Sequence, residues 1–233
     1  MAESDPLTLA LSAFARTMAQ GYEITDVMYD LTERVAEVIG IPAAGVSLLE
    51  GGTLRHAVSL NDIAAGIEVA QEQAQQGPCV DACRSDEPVT VSDLRTEPGR
   101  WPLVSPVALA AGVVAVAGIP FSDGRLQLGA LNLYDTVPRQ WSRTDLERAR
   151  VLADMATSYV VNASQLEQER RTNEQLRQAL DNTKVIEQAK GILAAHHGIS
   201  VTQAFERLRA HARSHNATIR AVADAVVSLD LRP

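Results

Sequence analysis

Two groups of side chains in this sequence are of types that could do chemistry: a cysteine pair and a set of cations near the end. Cys79 and Cys83 are spaced C-x-x-x-C, which on a helix would place both sulfurs on one face and would suit a redox pair or one edge of a metal site. Two sulfurs alone do not complete a zinc site, and no histidine is near them in the sequence. Two buried, unreactive thiols are therefore the simpler interpretation.

The cations are concentrated in the last part of the chain. Residues 182–233 hold seven Lys/Arg against four Asp/Glu, which gives a net charge of +3, and they also hold four histidines. Residues 1–164 hold 11 Lys/Arg against 21 Asp/Glu, which gives −10. Because basic surfaces attract nucleic acids, the whole-chain charge of −8 argues against such a partner, but the last part does not. A solvated helix face could produce the same mild excess.

Sequence motifs of common enzymes are missing. There is no G-x-x-x-x-G-K phosphate loop, no H-E-x-x-H helix and no G-x-S-x-G nucleophile turn. The neighbouring His196 and His197 have no set of cysteines or carboxylates near them that would complete a metal site. We therefore predict that the protein is not an enzyme and holds neither a metal nor a resident cofactor.

Composition indicates a reducing compartment. Two cysteines are too few for a disulfide framework. No apolar run approaches the ~20 residues that span a bilayer, and the start MAESDPLTLALSAF lacks the positive region of a signal peptide. The sequence predicts a cytoplasmic protein with no membrane partner.

The elements that position these side chains follow from hydrophobic periodicity. Residues 7–40 have apolar groups at helical spacing and predict two helices split near Gly21. Two apolar runs around Glu50-Gly51-Gly52 predict a β-hairpin over 44–59. One further helix is expected over 62–76, and three further strands are expected at 88–93, at 112–120 and, after an Asp123-Gly124 turn, at 126–135. Irregular alternation of helices and hairpin-linked strands predicts an α+β domain on an antiparallel sheet over the first ~160 residues.

A long helix is predicted to follow. Its start is marked by the capping sequence Ser142-Arg143-Thr144-Asp145, and no Gly or Pro interrupts it before Gly191, so it should end there or at Gly198. Apolar or small residues recur at roughly heptad spacing, with polar gaps at Arg170 and Asn173. This pattern fits either a parallel coiled-coil dimer that joins two domains or a surface helix that packs on its own sheet. The residues of the pattern are Leu146, Leu152, Ala156, Tyr159, Ala163, Leu166, Leu176 and Leu180.

The last segment predicts two shorter helices. Ser200 caps the stretch VTQAFERLRAHAR, and Asn216 or Thr218 opens the stretch IRAVADAVVSL. Phe205 is expected in the core, beside an apolar stripe. The stripe consists of Ala204, Leu208 and Ala212. With the end of the long helix, these helices form a three-helix bundle, which is too small to house a catalytic cleft.

The stretch VIEQAKGILAAHHGISVTQAFERLRAHARSHNATIRAVADAVV, residues 185–227, closely resembles the ANTAR domain, a three-helix module of bacterial transcription antiterminators. Its QAKGIL, HGIS, AFERLR and AVADAVV motifs occur in order and at the spacing of that family. The resemblance implies that residues 172–233 bind RNA with paired hairpins, prevent a terminator from forming, and act as a dimer.

The resemblance favours Lys190 and Arg209 as RNA contacts, because both fall on motif positions. Lys190 is expected on the exposed side of its helix, and Arg209 and Arg213 lie one turn apart, so their charges can converge on a phosphate backbone. Unpaired bases are usually read by stacking, and with Phe205 in the core only histidines remain for that role. For each of these residues a solvated side chain is the alternative. The further candidates are Arg220, Lys184, Arg207, His211 and His215.

The first ~160 residues resemble a GAF domain, in the form that is fused to ANTAR modules in actinobacterial proteins. The residues that carry this resemblance are QQGPCVDACRSDEPVTVSDL (75–94), Arg100-Trp101-Pro102, Gly112-Val113 and LGALNLYD (128–135). Relatives sense cyclic nucleotides, bilins, haem, small acids or nothing measurable, so the resemblance allows a small ligand without identifying it. Candidates for the wall of its pocket, and equally for the core, are Cys79, Cys83, Arg100 and Trp101.

These observations predict a homodimer in which a GAF-like sensory domain, 1–160, acts through an overlapping coiled-coil helix, 143–184, on an ANTAR RNA-binding domain, 172–233. The predicted function is signal-responsive transcription antitermination on RNA with paired stem-loops, with a small molecule as the candidate effector. A protein-interaction adaptor and a DNA-binding transcription regulator are the alternatives. For the latter, the last helix, RAVADAVVSLD, offers few polar side chains that could read DNA.

Overall fold

The computed structural model describes residues 5–21, 23–122, 124, 127–229 and 231–233. The chain divides into two compact units, one up to Ser164 and the other from Gln165. The helices of the described residues are α1 (Pro6–Ala19), α2 (Ile24–Ile39), α3 (Asp62–Ala74), α4 (Pro78–Ser85), α5 (Ser105–Ala110), α6 (Arg143–His197), α7 (Val201–Ser214) and α8 (Ile219–Ser228). The strands are β1 (Ala43–Glu50), β2 (Thr53–Ser59), β3 (Val89–Val91), β4 (Ala115–Ser122) and β5 (Gln127–Asp135).

The predicted elements of the first unit are confirmed. Helices α1 and α2 lie on either side of Gly21, β1 and β2 form the expected hairpin, and α3, β3, β4 and β5 overlap the segments predicted for them. Asp123, part of the predicted turn between β4 and β5, lies outside the described residues. Two short helices, α4 and α5, were not predicted, because eight and six residues are too few to show a helical repeat. Each has a proline in its first turn, where a missing N–H costs nothing.

Within the described residues, five strands form one antiparallel sheet in the order β2-β1-β5-β4-β3. The hairpin between β1 and β2 turns at Gly51 and Gly52, whose φ values of +58° and +84° suit the left-handed positions of a two-residue turn. Glu50 pairs with Thr53 directly across this turn. The α+β class with an antiparallel sheet is confirmed.

The two faces of the sheet are covered by different helices. Alternate side chains of a strand point to opposite faces, and on β5 Leu131 and Leu133 join a core with α2 and α6. Asn132 and Tyr134 point to the other face, where they contact a side chain of α3. This second face therefore holds polar groups as well as apolar ones.

Helix α6 begins as predicted and runs unbroken to His197. The Ser142 hydroxyl accepts a hydrogen bond from the Asp145 amide, and the Asp145 carboxylate accepts one from the Ser142 amide, so the first turn is capped. The helix passes through Gly191 and stops before Gly198, which has a φ of +64°. None of the described helices is both long and apolar enough to cross a membrane.

The apolar pattern of α6 lies in two different environments. Leu152 and Ala156 are fully buried in the core of the first unit, so over these turns the helix packs on its own domain, the second of the two predicted arrangements. Farther along, Leu166, Leu176 and Leu180 are 49%, 59% and 70% exposed. For that part of the helix, a coiled coil stays a prediction.

The second unit contains the predicted bundle, formed by the end of α6 with α7 and α8. Ser200 and Gln203 make a capping box at the start of α7, and the Thr218 hydroxyl caps α8. A small apolar core joins the three helices. Its buried side chains are Ala189, Leu193, Ala204, Leu208, Ala212, Val222, Ala223 and Val226.

Gly118 of β4 should be sensitive to substitution because α4 approaches the sheet closely there. A Cβ atom at Gly118 would lie 2.5 Å from the Pro78 carbonyl oxygen, a backbone atom that can move only if α4 shifts. We expect Gly118→Ala to lower the free energy of unfolding of the first unit by about 1–3 kcal/mol, measured by urea denaturation. Both tryptophans, Trp101 and Trp141, belong to this unit, so their fluorescence reports its unfolding.

Gly66→Ala is the matched control for this substitution. Gly66 lies on the exposed side of α3, and a Cβ atom there would meet nothing within 4 Å. This change should raise the free energy of unfolding by about 0.5–1 kcal/mol, because alanine is the better helix former. Equal effects of the two substitutions would mean that α4 does not pack tightly on β4.

Candidate nucleic-acid interface and sensor core

Helix α7 divides the predicted RNA contacts between two flanks. Its buried stripe consists of Ala204, Leu208 and Ala212. At about 100° per residue, Phe205 and Arg209 lie on one side of this stripe, the Phe205 flank. Arg207 and His211 lie on its other side, the Arg207 flank. The cations of α7 therefore do not form one continuous surface.

Lys190 of α6 faces the Phe205 flank. Its ammonium group lies 2.7 Å from Glu187 Oε1 and 5.7 Å from the centre of the Phe205 ring. Only 18% of the Lys190 side chain is exposed, so the expectation of a freely exposed lysine is wrong. The reason is that a carboxylate of the same helix and a ring of the next one cover it.

Phe205 is not a core residue, contrary to the expectation from the sequence. Its side chain is half-buried, and it is not among the described side chains that form or pack against the core of the bundle. Ala204 and Leu208 supply the core contacts of this part of α7, and position 205 lies about 100° round the helix from Ala204. An aromatic ring is thus left at the surface beside Lys190.

Arg209 and Arg213 continue the Phe205 flank along α7. Arg209 lies one turn beyond Phe205, and its Nη1 atom is 3.8 Å from Glu206 Oε1. Arg213 follows after another turn; it is exposed, and its guanidinium forms no ion pair with any other residue that the structure describes. Together with Lys190, these arginines give one side of the bundle three cations on two helices.

Lys184 and Arg220 lie elsewhere on the bundle. Lys184 is exposed and points about 140° round α6 from the buried Ala189. Arg220, in the first turn of α8, donates a hydrogen bond to Asn182 Oδ1 and lies 3.5 Å from Asp224 Oδ2. It therefore links α8 to α6 besides carrying charge.

The Arg207 flank is lined by histidines. Arg207 Nη1 lies 3.5 Å from His197 Nε2, and the rings of His211 and His215 stack with their centres 4.0 Å apart. Partial burial and the positive charge of Arg207 lower the pKa of His197, so this ring is uncharged at neutral pH. Because His211 and His215 stack on each other, one face of each ring is closed to a base.

The two cysteines of the first unit have different surroundings. Cys79 is fully buried, and its thiol donates a 3.0 Å hydrogen bond to Gln71 Oε1. Cys83, one turn later, is half-buried and lines a surface cleft of about 220 Å³. Burial raises the pKa of both thiols, that of Cys83 to about 11. Both are therefore protonated at neutral pH, which favours unreactive thiols.

Trp101 connects the loop before α5 to α4, and Arg100 packs against its ring. Trp101 Nε1 donates a 2.8 Å hydrogen bond to Asp81 Oδ2, and Trp101 is only 7% exposed. The Arg100 guanidinium lies 4.4 Å from the centre of the Trp101 ring and 2.6 Å from Glu97. The φ of Trp101 is +49°, a strained value for so large a side chain. These contacts hold the strained turn in place.

A buried carboxylate that the sequence did not single out lies between α3 and the sheet. Glu68 of α3 is fully buried and accepts hydrogen bonds from Ser47 Oγ (2.7 Å) and Asn132 Nδ2 (3.0 Å). Its other oxygen accepts one from Tyr134 OH (2.7 Å), and that hydroxyl accepts one from Gln71 Nε2 (2.9 Å). Burial raises the pKa of Glu68 to about 7, although the hydrogen bonds act in the opposite direction.

The sequence contains a signal for this network. Glu68 and Gln71 lie on the same helical stripe of α3 as the buried Ala64 and Ile67. A carboxylate and an amide on the apolar face of a helix need internal partners, because burying them without hydrogen bonds is costly. Which strand residues supply those partners depends on strand pairing, which the sequence alone does not give.

Both units match families of known proteins. The family model described as GAF domain matches residues 22–160, more than half of the chain, and the one described as ANTAR domain matches residues 174–227. The chain is a GAF-ANTAR protein. It belongs to the GAF domain family, and the predicted order of the two domains is confirmed.

The GAF-ANTAR protein is of a regulatory kind. GAF domains sense signals, and ANTAR domains are RNA-binding antitermination regulators. That the protein is of the actinobacterial type stays a prediction. No curated protein matches the chain.

Solved structures share the GAF fold of the GAF-ANTAR protein. The GAF domain of a phosphoenolpyruvate-protein phosphotransferase from Coxiella burnetii has a TM-score of 0.56 at 13% identity, over 69% of this chain and 96% of that chain. The corresponding domain from Acinetobacter has a TM-score of 0.53 at 13% identity, over 71% and 99%. The free methionine-R-sulfoxide reductase from Neisseria meningitidis, in complex with its substrate, has a TM-score of 0.54 at 20% identity, over 71% and 96%. At these identities the likeness shows the fold alone.

Glu68→Gln should remove a pH dependence from the stability of the GAF domain. The pKa of Glu68 rises from its ordinary value of 4.5 to about 7 in the folded protein. Between these pH values the folded state holds a proton that the unfolded state has lost, so stability falls as the pH rises. We expect wild-type protein to lose on the order of 3 kcal/mol of unfolding free energy across this range, and the variant to lose none through this position. Tryptophan fluorescence during urea denaturation, at a series of pH values, measures the difference.

Glu72→Gln is the matched control, one turn farther along α3. A hydrogen bond from Arg55 lowers the pKa of Glu72, so the ionised Glu72 stabilises the folded state. This stabilisation is lost as the pH falls below 4.5, whereas that from Glu68 is lost as the pH rises above 4.5. If Glu68→Gln kept the wild-type pH dependence above pH 4.5, Glu68 could not be the group that takes up the proton.

Proposed function

We propose that the GAF-ANTAR protein is a signal-responsive transcription antitermination regulator that binds RNA with paired stem-loops as a homodimer. In this proposal residues 1–160 sense the signal, the helical segment 143–184 forms a coiled coil where it is exposed, and residues 172–233 bind RNA. The protein acts in the cytoplasm, has no membrane partner and catalyses no reaction.

The Phe205 flank is the observation that carries the proposal. Lys190 of α6 meets the ring of α7 there, and Arg209 lies one turn beyond the ring. Cations from two helices thus converge on a short stretch of surface, as binding to a phosphate backbone requires. Glu187 and Glu206 pair with these cations in the free protein, and we propose that RNA phosphates replace both carboxylates.

The other predicted contacts extend this surface. Arg213 lengthens the line of charge along α7 by one turn, and its lack of an ion pair with described residues leaves it available to a phosphate. We propose Lys184 and Arg220 as contacts at its edge. The Arg207 flank serves as a second contact through Arg207, His211 and His215.

Three exposed leucines support the homodimer. Leu166, Leu176 and Leu180 lie within about 80° of one another around α6, and all three are exposed. Such a stripe gains free energy when a second helix covers it. In a parallel dimer the same leucines of two chains would meet, and each chain would bring one ANTAR domain to the RNA.

A small molecule is the proposed signal for the GAF domain. The cleft beside Cys83, which Gln75 and Gln127 also line, has a volume of about 220 Å³ and both polar and apolar walls. A ligand can change RNA binding only if it binds one arrangement of the dimer more tightly than another. We therefore propose that the effector acts by shifting the coiled-coil arrangement.

Removing the cations of the Phe205 flank should weaken RNA binding. We expect Lys190→Ala and Arg209→Ala each to lower affinity roughly tenfold and to reduce the slope of log K against log salt by about one phosphate contact. Glu187→Gln should raise affinity about threefold, because it frees Lys190 and removes a negative charge. Fluorescence anisotropy with an RNA of two short stem-loops, across a salt series, measures all three.

Arg171→Ala is the control for loss of charge alone. Arg171 is an exposed cation of α6 on the side opposite the leucine stripe, nineteen residues before Lys190, so its removal should change affinity less than twofold. RNA with one stem-loop and duplex DNA are compared as ligands. Equal affinity for duplex DNA would favour a DNA-binding regulator, and no binding to RNA would favour an adaptor; either result would contradict the proposal.

Charges in the leucine stripe should dissociate the homodimer. The double substitution Leu176→Glu, Leu180→Glu puts four carboxylates into the proposed dimer interface in place of leucines that each contribute about 1.5–3 kcal/mol when buried. We expect at least a roughly 100-fold weaker dimer, measured by analytical ultracentrifugation. Gln175→Glu, Gln178→Glu adds the same charge on the other side of α6 and should leave the dimer intact. A wild-type monomer at micromolar concentration would contradict this part of the proposal.

A further inference from the structure

The packing of the ANTAR domain does not explain Phe205. It is the one Phe, Tyr or Trp in the sequence from Gln165 to Pro233. Its ring is half-buried, and it lies outside the described residues that form or line the core of the bundle. A ring that stays partly in water contributes less to folding than a buried one, so a role in binding accounts for it better than a role in packing.

The surroundings of the ring match the two parts of a nucleotide. The Lys190 ammonium lies 5.7 Å from the ring centre, and the Arg209 guanidinium is one turn away on the same flank. Aromatic faces stack on nucleobases, and cations bind the phosphates that join them. The Phe205 ring therefore has a cation of α6 and a cation of α7 as its neighbours.

We infer that Phe205 is a stacking platform for an unpaired nucleobase of an RNA loop, with Lys190 and Arg209 on the neighbouring phosphates. This inference rests on the proposed function and adds to it the class of nucleotide bound. Bases inside a duplex stack on one another and leave no face free. The ligand is therefore the single-stranded loop of a stem-loop and not its stem.

Two contacts hold the platform ready in the free protein. The ammonium of Lys190 lies over the ring, and Glu187 holds that ammonium with a 2.7 Å ion pair. In the complex the base occupies the ring, and the ammonium of Lys190 exchanges Glu187 for a phosphate of the same loop. The phosphate contact does not depend on the base, so an RNA that offers only phosphates still binds Lys190 but leaves the ring without a partner.

The experiment separates stacking from charge. Full-length protein is titrated with an RNA of two stem-loops that carries 2-aminopurine at one loop position at a time, across a salt series. We expect Phe205→Leu, which keeps an apolar side chain, to weaken binding about 5- to 100-fold. Its salt slope should equal that of wild-type protein, and the stacking-induced quenching of 2-aminopurine should disappear. Phe205→Trp, which keeps an aromatic face, should retain both affinity and quenching.

Three controls make the result decisive. Leu229→Ala removes a 79% exposed apolar side chain of the same domain and should leave RNA binding unchanged. Lys190→Ala should lower the salt slope, whereas Phe205→Leu should not. Circular dichroism during heating must show that the helices of Phe205→Leu melt at the same temperature as those of wild-type protein.

Different failures have different meanings. Binding by Phe205→Leu within twofold of wild type, with quenching retained, would overturn the platform and leave the proposed function standing. A salt slope lowered as in Lys190→Ala would also overturn it, because the ring would then only position the lysine. If wild-type protein bound no RNA, the proposed function would fail and the platform with it.

Discussion

Because Glu68 is cut off from water, the GAF domain must supply hydrogen-bond donors around its carboxylate. The donors come from Ser47 on β1 and from two side chains of β5, so one helix is tied across two strands. The crowding also limits residue types, since a Cβ atom at Gly45 would lie 2.4 Å from Glu68 Oε1. Gln71 leaves equally little room at Gly77, where a Cβ atom would lie 2.1 Å from its amide oxygen. The position of α3 and the start of α4 both depend on this network.

Two residues that the sequence assigned to a ligand pocket are held by internal hydrogen bonds, and one of them, Cys79, belongs to the same network. Cys79 donates to Gln71 through its amide and its thiol, and Trp101 donates to Asp81. Groups bonded in this way stabilise the fold, and a ligand could use them only by breaking those bonds. Cys83 differs because it lines a cleft at the surface. On the proposed function, the surface cleft beside Cys83 is therefore the site for a small effector.

The features that the sequence predicted well are those that local chemistry decides. Gly51-Gly52 permits a tight turn, and Ser200 caps a helix whatever surrounds it. Phe205 was misplaced because periodicity gives the side of a helix on which a residue lies, but not how far the next helix covers that side. The repeat of α6 shows the same limit: Leu152 is buried in the GAF domain and Leu180 is exposed, although both fit one pattern. Whether a side chain is buried depends on which other elements pack against its helix, and the periodicity of one segment does not contain that information.

Glu187 and Glu206 neutralise the two cations beside Phe205 while no RNA is bound. A cell contains a vast excess of unrelated RNA, and an uncovered line of positive charge would adhere to any of it through counter-ion release. With the carboxylates in place, an unrelated RNA gains little at Lys190 and Arg209, because a phosphate must first displace the carboxylate that is paired with each of them. On the proposed function, the two glutamates lower adhesion to bulk RNA more than to a transcript that also presents a loop base, so they sharpen discrimination during the search for a target.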